Sequence, residues 1–592
     1  MNHEQTHDRS DLSASTPSRR SVLRGIGAVG LALGLGPLVA SSASGASATT
    51  LRQSRAVQSG AATMLTVLQT ADIHGQLDTH DEFFWEDGPV FRRTGGFARI
   101  QTLVNRVRVE NPTGTLLVDA GDCFQGSGWA ALSKGEAIAP VMKHLRYDAV
   151  IPGNWEVVYG KSQLLKVMGQ YRAPVVSTNM FHDDGGQLGG YLFKPVHVRE
   201  IAGVRVGFLS YNDPLVPVRQ DPQYSVGIKF TFPEANAAEW IRHLREERQC
   251  DLVFAVTHMG IAQQVDLAKQ GYMEGIDYIL GADTHERIRE PIQESGMHSP
   301  VTEPGAFGSF VGRLDLVVEN GRIKDAAYDL MEVAEAEYPE DAGMKAVVTN
   351  VQRPYKAELT EVLGATSTPL MRYYPIETPM DNLITDALFE ATAAKIGSVD
   401  VALSNGFRFC PPLVPPDGGI KEITREYLWS MLPVNAGARA ASVPAKLLKG
   451  WMEKELNNVF AKEPIERFGG WVVRMSGMEI NFTDSRGKGD RLNTIKIGGE
   501  LVWDREQGGL VVGGERLFTF VACERGGDPL DVLCRIKGVS NRRDLSFTLH
   551  DAVALYLADH SPVAPRQEGR VTATDLSSTM LGQLPGTNYQ FS

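Results

Sequence analysis

Cysteine is scarce in this chain: five in 592 residues, with no CxxC pair. That odd, scattered set excludes a disulfide framework and a thiolate zinc site. An excess of positive charge is also missing. Lys and Arg number 59 against 71 Asp and Glu, a net charge of −12, which argues against a general binder of nucleic acid polymers but leaves room for a small anion in a locally positive cleft. There are no internal repeats, so no solenoid is expected. The one apolar run near the N-terminus, Gly25 to Ala40, is too short and too interrupted by glycine to span a bilayer comfortably, and no later segment is long enough. What is present is ordinary globular composition, 43% hydrophobic and 22% charged. The length exceeds what one core usually serves, so two domains are expected.

The first forty-odd residues read as an address. Ser18-Arg19-Arg20-Ser21-Val22-Leu23-Arg24 looks like a twin-arginine export signal, and the small residues of SSASGASA offer a cleavage site near Ala46 or Ala48. The alternative is an N-terminal anchor. Residues 1–48 are therefore expected to be a signal peptide, with the mature protein periplasmic or extracellular and free of the membrane. Such a route carries folded proteins, so a metal ion can be loaded before export.

The N-terminal half is organised around Leu65 to Gly75, LTVLQTADIHG. An apolar run ends in a turn that presents Asp72 and His74. In extended backbone, residues i and i+2 point to the same side, so both can converge on one cation. Further apolar runs follow at Thr115–Asp119, Ala149–Pro152, Val175–Ser177, Val204–Ser210, Leu252–Thr257 and Tyr278–Leu280, with amphipathic stretches at Gly96–Val109 and Pro233–Arg248. Polar ligand types stand at their ends: Asp122, Asn154, His258, and the pair Asp283 and His285. Any one of these reads equally well as a capped turn residue; seven in order read as a dinuclear metal site. Carboxylate, imidazole and amide without thiolate suit Mn²⁺, Fe or Zn²⁺ rather than Ca²⁺. Cys123, beside Asp122, reads as a small buried hydrophobe.

The blocks DIHG, GDCFQGS, GNWE, TH and ADTH resemble those of the calcineurin-like metallophosphoesterases of the 5′-nucleotidase type. The resemblance implies an α/β (α+β) fold, a four-layer metallophosphoesterase sandwich with a second α/β C-terminal domain. It sets the metal domain at 64–335, a linker helix at 336–365, a substrate domain at 366–564 and a loose tail at 565–592. It also implies that Asp72, His74, Asp122 and His285 hold one divalent ion, and Asp122, Asn154, His258 and Asp283 another. Two such ions, Mn with Zn or Fe as alternatives, would activate a bridging water and neutralise charge on the attacked group.

Two departures from the family pattern bear on the chemistry. Where the family has GNHE and an acid three residues beyond its histidine, this chain has Trp155 and Val158. An indole donates one hydrogen bond but delivers no proton. Asp283 replaces the first histidine of GHxH, and the extra carboxylate favours a harder ion. One branch of the superfamily, the SoxB-type thiosulfohydrolases, carries Trp at the first of these positions, and Gln125-Gly126-Ser127 with Trp129 and Tyr224–Ile228 are similar to its segments. That branch has His where this chain has Asn154.

In the C-terminal half, Ala342–Thr360 reads as a connecting helix stopped by Gly364. Ser404-Asn405-Gly406-Phe407-Arg408-Phe409 is similar to the family's anion-facing loop, with Phe407 in place of small glycines. Arg408 is the candidate clamp for a sulfonate or phosphate, and a structural salt bridge is its alternative role. Trp471 reads as a substrate-facing ring or as core, and Asp528 follows the Gly526-Gly527 block. Cys410–Pro416 reads as a surface loop. The catalytic candidates are thus Trp155, Asn154 and Arg408; the substrate-binding candidates are Arg408, Phe407, Trp471 and Asp528. The expected activity is hydrolysis of a sulfonate from a carrier-protein cysteine S-thiosulfonate, by a monomer acting on a sulfur-carrier protein or a small anion. The alternatives are a 5′-nucleotidase or cyclic-nucleotide phosphodiesterase, and an inactive metal- or anion-binding protein.

Overall fold

The computed structural model describes residues 62–404, 410–467 and 470–580. The expected signal segment, Phe407 and Arg408 lie outside the described residues.

Alternation along the strands decides the architecture of the N-terminal lobe. In Ala62–Thr70 and Thr115–Asp119, Leu65, Val67, Leu116 and Val118 point one way, into a core shared with Phe208, Phe254 and Val256 of a second sheet. The opposite faces meet helices. Leu68 and Leu117 pack on Ile100, Leu103 and Val107 of the helix Phe97–Glu110. Val253 and Ala255 pack on Ile241 and Val265 of the helices Ala237–Arg242 and Ile261–Ala268. The result is four layers, helix–sheet–sheet–helix.

The first sheet runs in the order Arg322–Glu332, Phe310–Glu319, Ala62–Thr70, Thr115–Asp119, Ala149–Val150. The second runs Val301–Thr302, Tyr278–Leu280, Leu252–His258, Val204–Asn212, Val196–Ile201. The last three strands of the first sheet are parallel, as are the first four of the second. Ligands of parallel sheets gather beyond the carboxyl ends of the strands, and every candidate metal ligand stands there.

The C-terminal lobe has its own five-stranded sheet, in the order Arg474–Ser476, Val401–Ser404, Leu517–Cys523, Gly437–Pro444, Ser540–Thr548. The helices Pro379–Ile396 and Leu549–His560 cover one face through Leu383, Ala387 and Val553. Leu448–Phe460 covers the other through Trp451 and Met452. A further five-stranded sheet completes the lobe.

Several expectations are corrected. The connecting helix Ala342–Thr360 is two pieces, Ala342–Gln352 and Lys356–Leu359. Pro354 between them lacks an N–H and its ring blocks the turn before it. Met344 and Val348 pack the first piece onto the N-terminal lobe, and Gly364 lies inside the strand Val362–Thr366 rather than ending a helix. Pro233–Arg248 is a succession of 3₁₀, α and π turns. Val175–Ser177 forms only isolated bridges. Cys410 is buried at the start of its loop, and the N–H of Val414 donates to Asp81 across the lobes at 3.1 Å. The stretch after Pro565 is not loose as far as residue 580. The N–H groups of Glu568 and Gly569 donate to Glu377, and Val571–Ala573 joins the sheet beside Met478–Phe482. The hairpin Phe310–Glu332 and the edge strand Val196–Ile201 were not anticipated.

Phe254 is fully buried between the two sheets. Phe254→Ala is expected to cost about 3–5 kcal/mol, read as a lower denaturation midpoint. Leu555→Ala, at a residue 61% exposed, is expected to leave it nearly unchanged.

Candidate metal centre

Asp72 and His74 converge, but not through strand pleating. The strand ends at Thr70, and both residues lie in the following turn with left-handed backbone, φ 51° and 52°. Asp122 (57°), Asp283 (91°) and His285 (63°) share that conformation, which costs an L-residue roughly 1–2 kcal/mol. Neighbouring loops compensate by locking together. The N–H groups of Asp72, His74 and Gly75 donate to the carbonyls of Gly121, Asp122 and Cys123 at 2.8–2.9 Å. A Cβ on Gly121 (φ 93°) would meet the Gly153 nitrogen at 2.5 Å, so only glycine lets these two loops touch.

Glu156 fixes the arrangement from below. Its carboxylate accepts the N–H groups of Asp122 (2.9 Å), Cys123 (2.6 Å), Phe124 (3.3 Å) and Gly153 (2.7 Å). On the far side, Glu303 accepts Thr284 Oγ1 at 3.0 Å and the Glu286 N–H at 2.9 Å, holding the His285 loop. The sequence marked Glu156 only as part of GNWE, and Glu303 not at all. A buried carboxylate that serves backbone amides of another loop has no local signature.

Two buried triads result: Asp72, His74 and His285, and Asp72, Asp122 and His258, the atoms of each within 4.8 Å of one another. Asp72 belongs to both. Its Oδ1 stands 3.5 Å from His285 Nε2 and 3.9 Å from the Nε2 atoms of His74 and His258. Asp122 Oδ2 is 3.2 Å from His258 and 3.8 Å from His74, so both carboxylates stand where a shared ligand would. Asp283 Oδ1 is 3.6 Å from His258 and accepts Asn154 Nδ2 at 2.5 Å. The Nδ1 atoms of His74 and His258 face the carbonyls of Gln125 (2.9 Å) and Ala120 (2.8 Å). Each therefore donates from Nδ1 and, when neutral, turns the lone pair of Nε2 inward.

Carboxylates and imidazoles are thus crowded together: His74 Nε2 and His285 Nε2 are 3.1 Å apart, within hydrogen-bond reach, and buried Asp72 Oδ1 has no hydrogen-bond partner. Burial, with Asp283 and Glu156 nearby, pushes the Asp72 carboxyl up to about 7 despite His258. Burial and His285 hold His74 well below the usual imidazole range. His258 goes the other way: burial opposes its charge, but Asp122, Asp72 and Asp283 outweigh it and hold it well above that range. A group of inward lone pairs and crowded carboxylates fits divalent cations, and the oxygen and imidazole donors suit Mn²⁺, Fe²⁺ or Zn²⁺.

The other sequence candidates divide. Asn154 is in the cluster, with Gln220 Nε2 on its Oδ1 at 3.4 Å. Trp155 is half-buried; its backbone N–H donates to Asp122 Oδ1 at 2.8 Å and its side chain packs against the Ala306–Phe307 pair, as does Tyr373 of the second lobe. The Phe307 ring lies edge-on to His285 at 5.5 Å, a placement that no local motif marks. Trp471 is half-buried, beside Val472, whose N–H donates to Pro375. Asp528 stands at the lobe seam, near Arg525, which donates to the carbonyls of Val218 (2.6 Å) and Gln220 (2.7 Å). Glu156→Ala would strip the partner from four buried N–H groups. It is expected to lower metal content and melting temperature together, measured by elemental analysis and calorimetry.

No family model matches the chain. It is 25% identical to human 5′-nucleotidase over 467 residues, 73% of this chain and 78% of that one. It is 23% identical to Protein 5NUC of Lutzomyia longipalpis over 86% of this chain and 92% of that protein. Among solved structures, Thermus thermophilus sulfate thiohydrolase SoxB superposes with a TM-score of 0.75 at 20% identity, covering 88% of this chain and 98% of that one. A 5′-nucleotidase precursor from the same organism superposes at 0.72 and 23% identity, covering 87% and 100%. Joined to the four-layer sandwich and to the candidate ligands beyond its strand ends, these likenesses support a metal-dependent hydrolase similar to the 5′-nucleotidases and SoxB.

Proposed function

We propose that the protein is an exported hydrolase that removes sulfonate from a cysteine S-thiosulfonate on a carrier protein. The observation that carries this reading is Trp155 where nucleotidases have a proton-donating histidine, its amide tied to Asp122 and its ring against the Ala306–Phe307 pair. In the reaction, the oxygen of water bonds to the sulfonate sulfur and the S–S bond breaks. Its electron pair leaves on the persulfide sulfur, and sulfate departs. A persulfide leaves readily as an anion, so the missing proton donor is tolerable; an alkoxide leaving from a phosphoester needs one more.

Asp72, His74, Asp122 and His285 would hold one cation, and Asp122, Asn154, His258 and Asp283 the other, with Asp72 within reach of both. Such ions supply charge neutralisation and a lowered pKa for water. The second carboxylate of the second group, Asp283, supports Mn²⁺ over softer ions. The protein's own part is positional. Glu156 and Glu303 hold the ligand loops, the carbonyls of Gln125 and Ala120 set the two tautomers, and Trp155 and Phe307 form an apolar wall that limits water on one side. The twin-arginine segment supports export to the periplasm or beyond.

A second reading, hydrolysis of 5′-nucleotides, is favoured by the likeness to 5′-nucleotidases over most of the chain. The two separate by assay. Mn²⁺-loaded protein is expected to release sulfate from a cysteine S-thiosulfonate peptide and little phosphate from AMP; rapid phosphate release with no sulfate would give the second reading preference. Trp155→His is expected to raise phosphate release about tenfold or more, since a placed proton donor contributes at least that much. Asp72→Asn, altering the residue common to both triads, is expected to reduce bound metal from two ions per chain to below one by elemental analysis.

A further inference from the structure

The supports of the metal centre extend beyond its own loops, and they meet at Glu82. This residue lies in the hairpin His80–Trp85/Pro89–Thr94, touches no candidate ligand in the arrangement above, and is fully buried. Its carboxylate accepts Arg287 Nη2 at 2.8 Å, the Phe83 N–H at 2.8 Å, Ser309 Oγ at 2.6 Å and the Tyr373 hydroxyl. Arg287 also donates to the Phe83 carbonyl at 2.5 Å, and its guanidinium sits over the rings of Phe310 (4.7 Å), Phe84 (5.1 Å) and Tyr373 (5.6 Å). The side chains of Arg287 and Glu82 are 2% and 1% exposed. Desolvation offsets most of what such a pair gains by attraction, so its contribution is less to stability than to fixed geometry.

The origins of the four partners give that geometry its meaning. Arg287 stands two residues beyond His285. Ser309 stands two beyond Phe307, whose ring braces His285. The two runs form one ribbon, through the Arg287–Pro304 bridge and the Gly305 N–H on the Glu286 carbonyl at 2.9 Å. Tyr373 belongs to the other lobe. Its neighbour Arg372 pairs with Asp381 at 3.1 Å, Arg474 donates to the Tyr374 carbonyl at 3.0 Å, and the Tyr373 ring stacks on Phe83 at 5.0 Å and 19°. One buried carboxylate therefore touches the loop of a metal ligand, the loop of the ring that braces it, and the second lobe.

We propose that Glu82 is a positioning residue that transmits the seating of the C-terminal lobe, through the Tyr373 hydroxyl, to the setting of His285 and Phe307. The affinity of the centre for its ion then depends on how the lobes meet. When the hydroxyl is withdrawn, Glu82 loses the contact it takes from the far side of the seam, and the Arg287 ribbon is held from the near side. The inference rests on the metal reading but on no particular substrate.

The test is Mn²⁺ titration of metal-free, full-length protein, with free ion followed by electron paramagnetic resonance. Tyr373→Phe keeps the ring and its stack. It is expected to raise the dissociation constant of at least one ion about tenfold, the lower end of the loss seen when a supporting residue is removed. Glu82→Gln is expected to do the same or more, and the double variant to be no worse than Glu82→Gln alone, because both act through one carboxylate. Circular dichroism of Tyr373→Phe is expected to match the parent. Unchanged Mn²⁺ binding in Tyr373→Phe, or full additivity in the double variant, overturns the inference. If the parent itself takes up no Mn²⁺, Zn²⁺ or Fe²⁺, the metal reading falls and this inference falls with it.

Discussion

Everything at the centre of this molecule answers to one electrostatic constraint: buried carboxylates crowded together need positive charge between them. Asp72 Oδ1 has no hydrogen-bond partner, and Asp122 Oδ2 and Asp283 Oδ1 stand 3.2 and 3.6 Å from His258 Nε2. Unpartnered polar atoms away from water are costly, and the fold keeps them in place with supports that are themselves fully partnered. Glu156 takes four amides and Glu303 takes a hydroxyl and an amide. The rigidity of the centre is thus assembled from carboxylates outside it, while the carboxylates inside it are left for a cation.

The second lobe takes part in this assembly. Among the contacts that cross the seam are Tyr373 on Glu82, Arg525 on the carbonyls of Val218 and Gln220, Val414 on Asp81, Arg219 on the Arg467 carbonyl and Gln125 on the Pro433 carbonyl. Gln220 in turn touches Asn154. One apolar cluster draws on both lobes, with Trp155, Ala306 and Phe307 from one and Tyr373 from the other.

Much of the site was legible in the sequence, because ligand chemistry is carried by residue type and strand ends are marked by apolar runs. Asp72, His74, Asp122, Asn154, His258, Asp283 and His285 all fall together as the motifs suggest. What was hidden depends on long-range geometry. Glu156 and Glu303 act on amides of other loops, and Glu82 on a ribbon more than 200 residues away. Local backbone was also hidden: Asp72 and His74 converge through left-handed turns rather than through the extended alternation their spacing suggests. The broken linker shows the opposite case. Pro354 was plain in the sequence, but a helical pattern on both sides of it masked the interruption. The hairpin Phe310–Glu332 lay beyond the motifs that guided the reading.

The left-handed turns at five ligand positions also restrict which metals the lineage can turn to. Asn, Asp, His and Gly are the residues that best tolerate such backbone, so a codon change at Asp72, His74, Asp122, Asp283 or His285 meets a conformational filter before any coordination chemistry is tried. Oxygen and imidazole donors pass that filter; branched or sulfur-bearing side chains pass it poorly. An imidazole and a carboxylate can therefore replace one another at such turns, Asp283 being the carboxylate case, and retune hardness within a narrow band. A copper- or cadmium-seeking thiolate site lies off the accessible path, because the main chain discourages the side chains it would need.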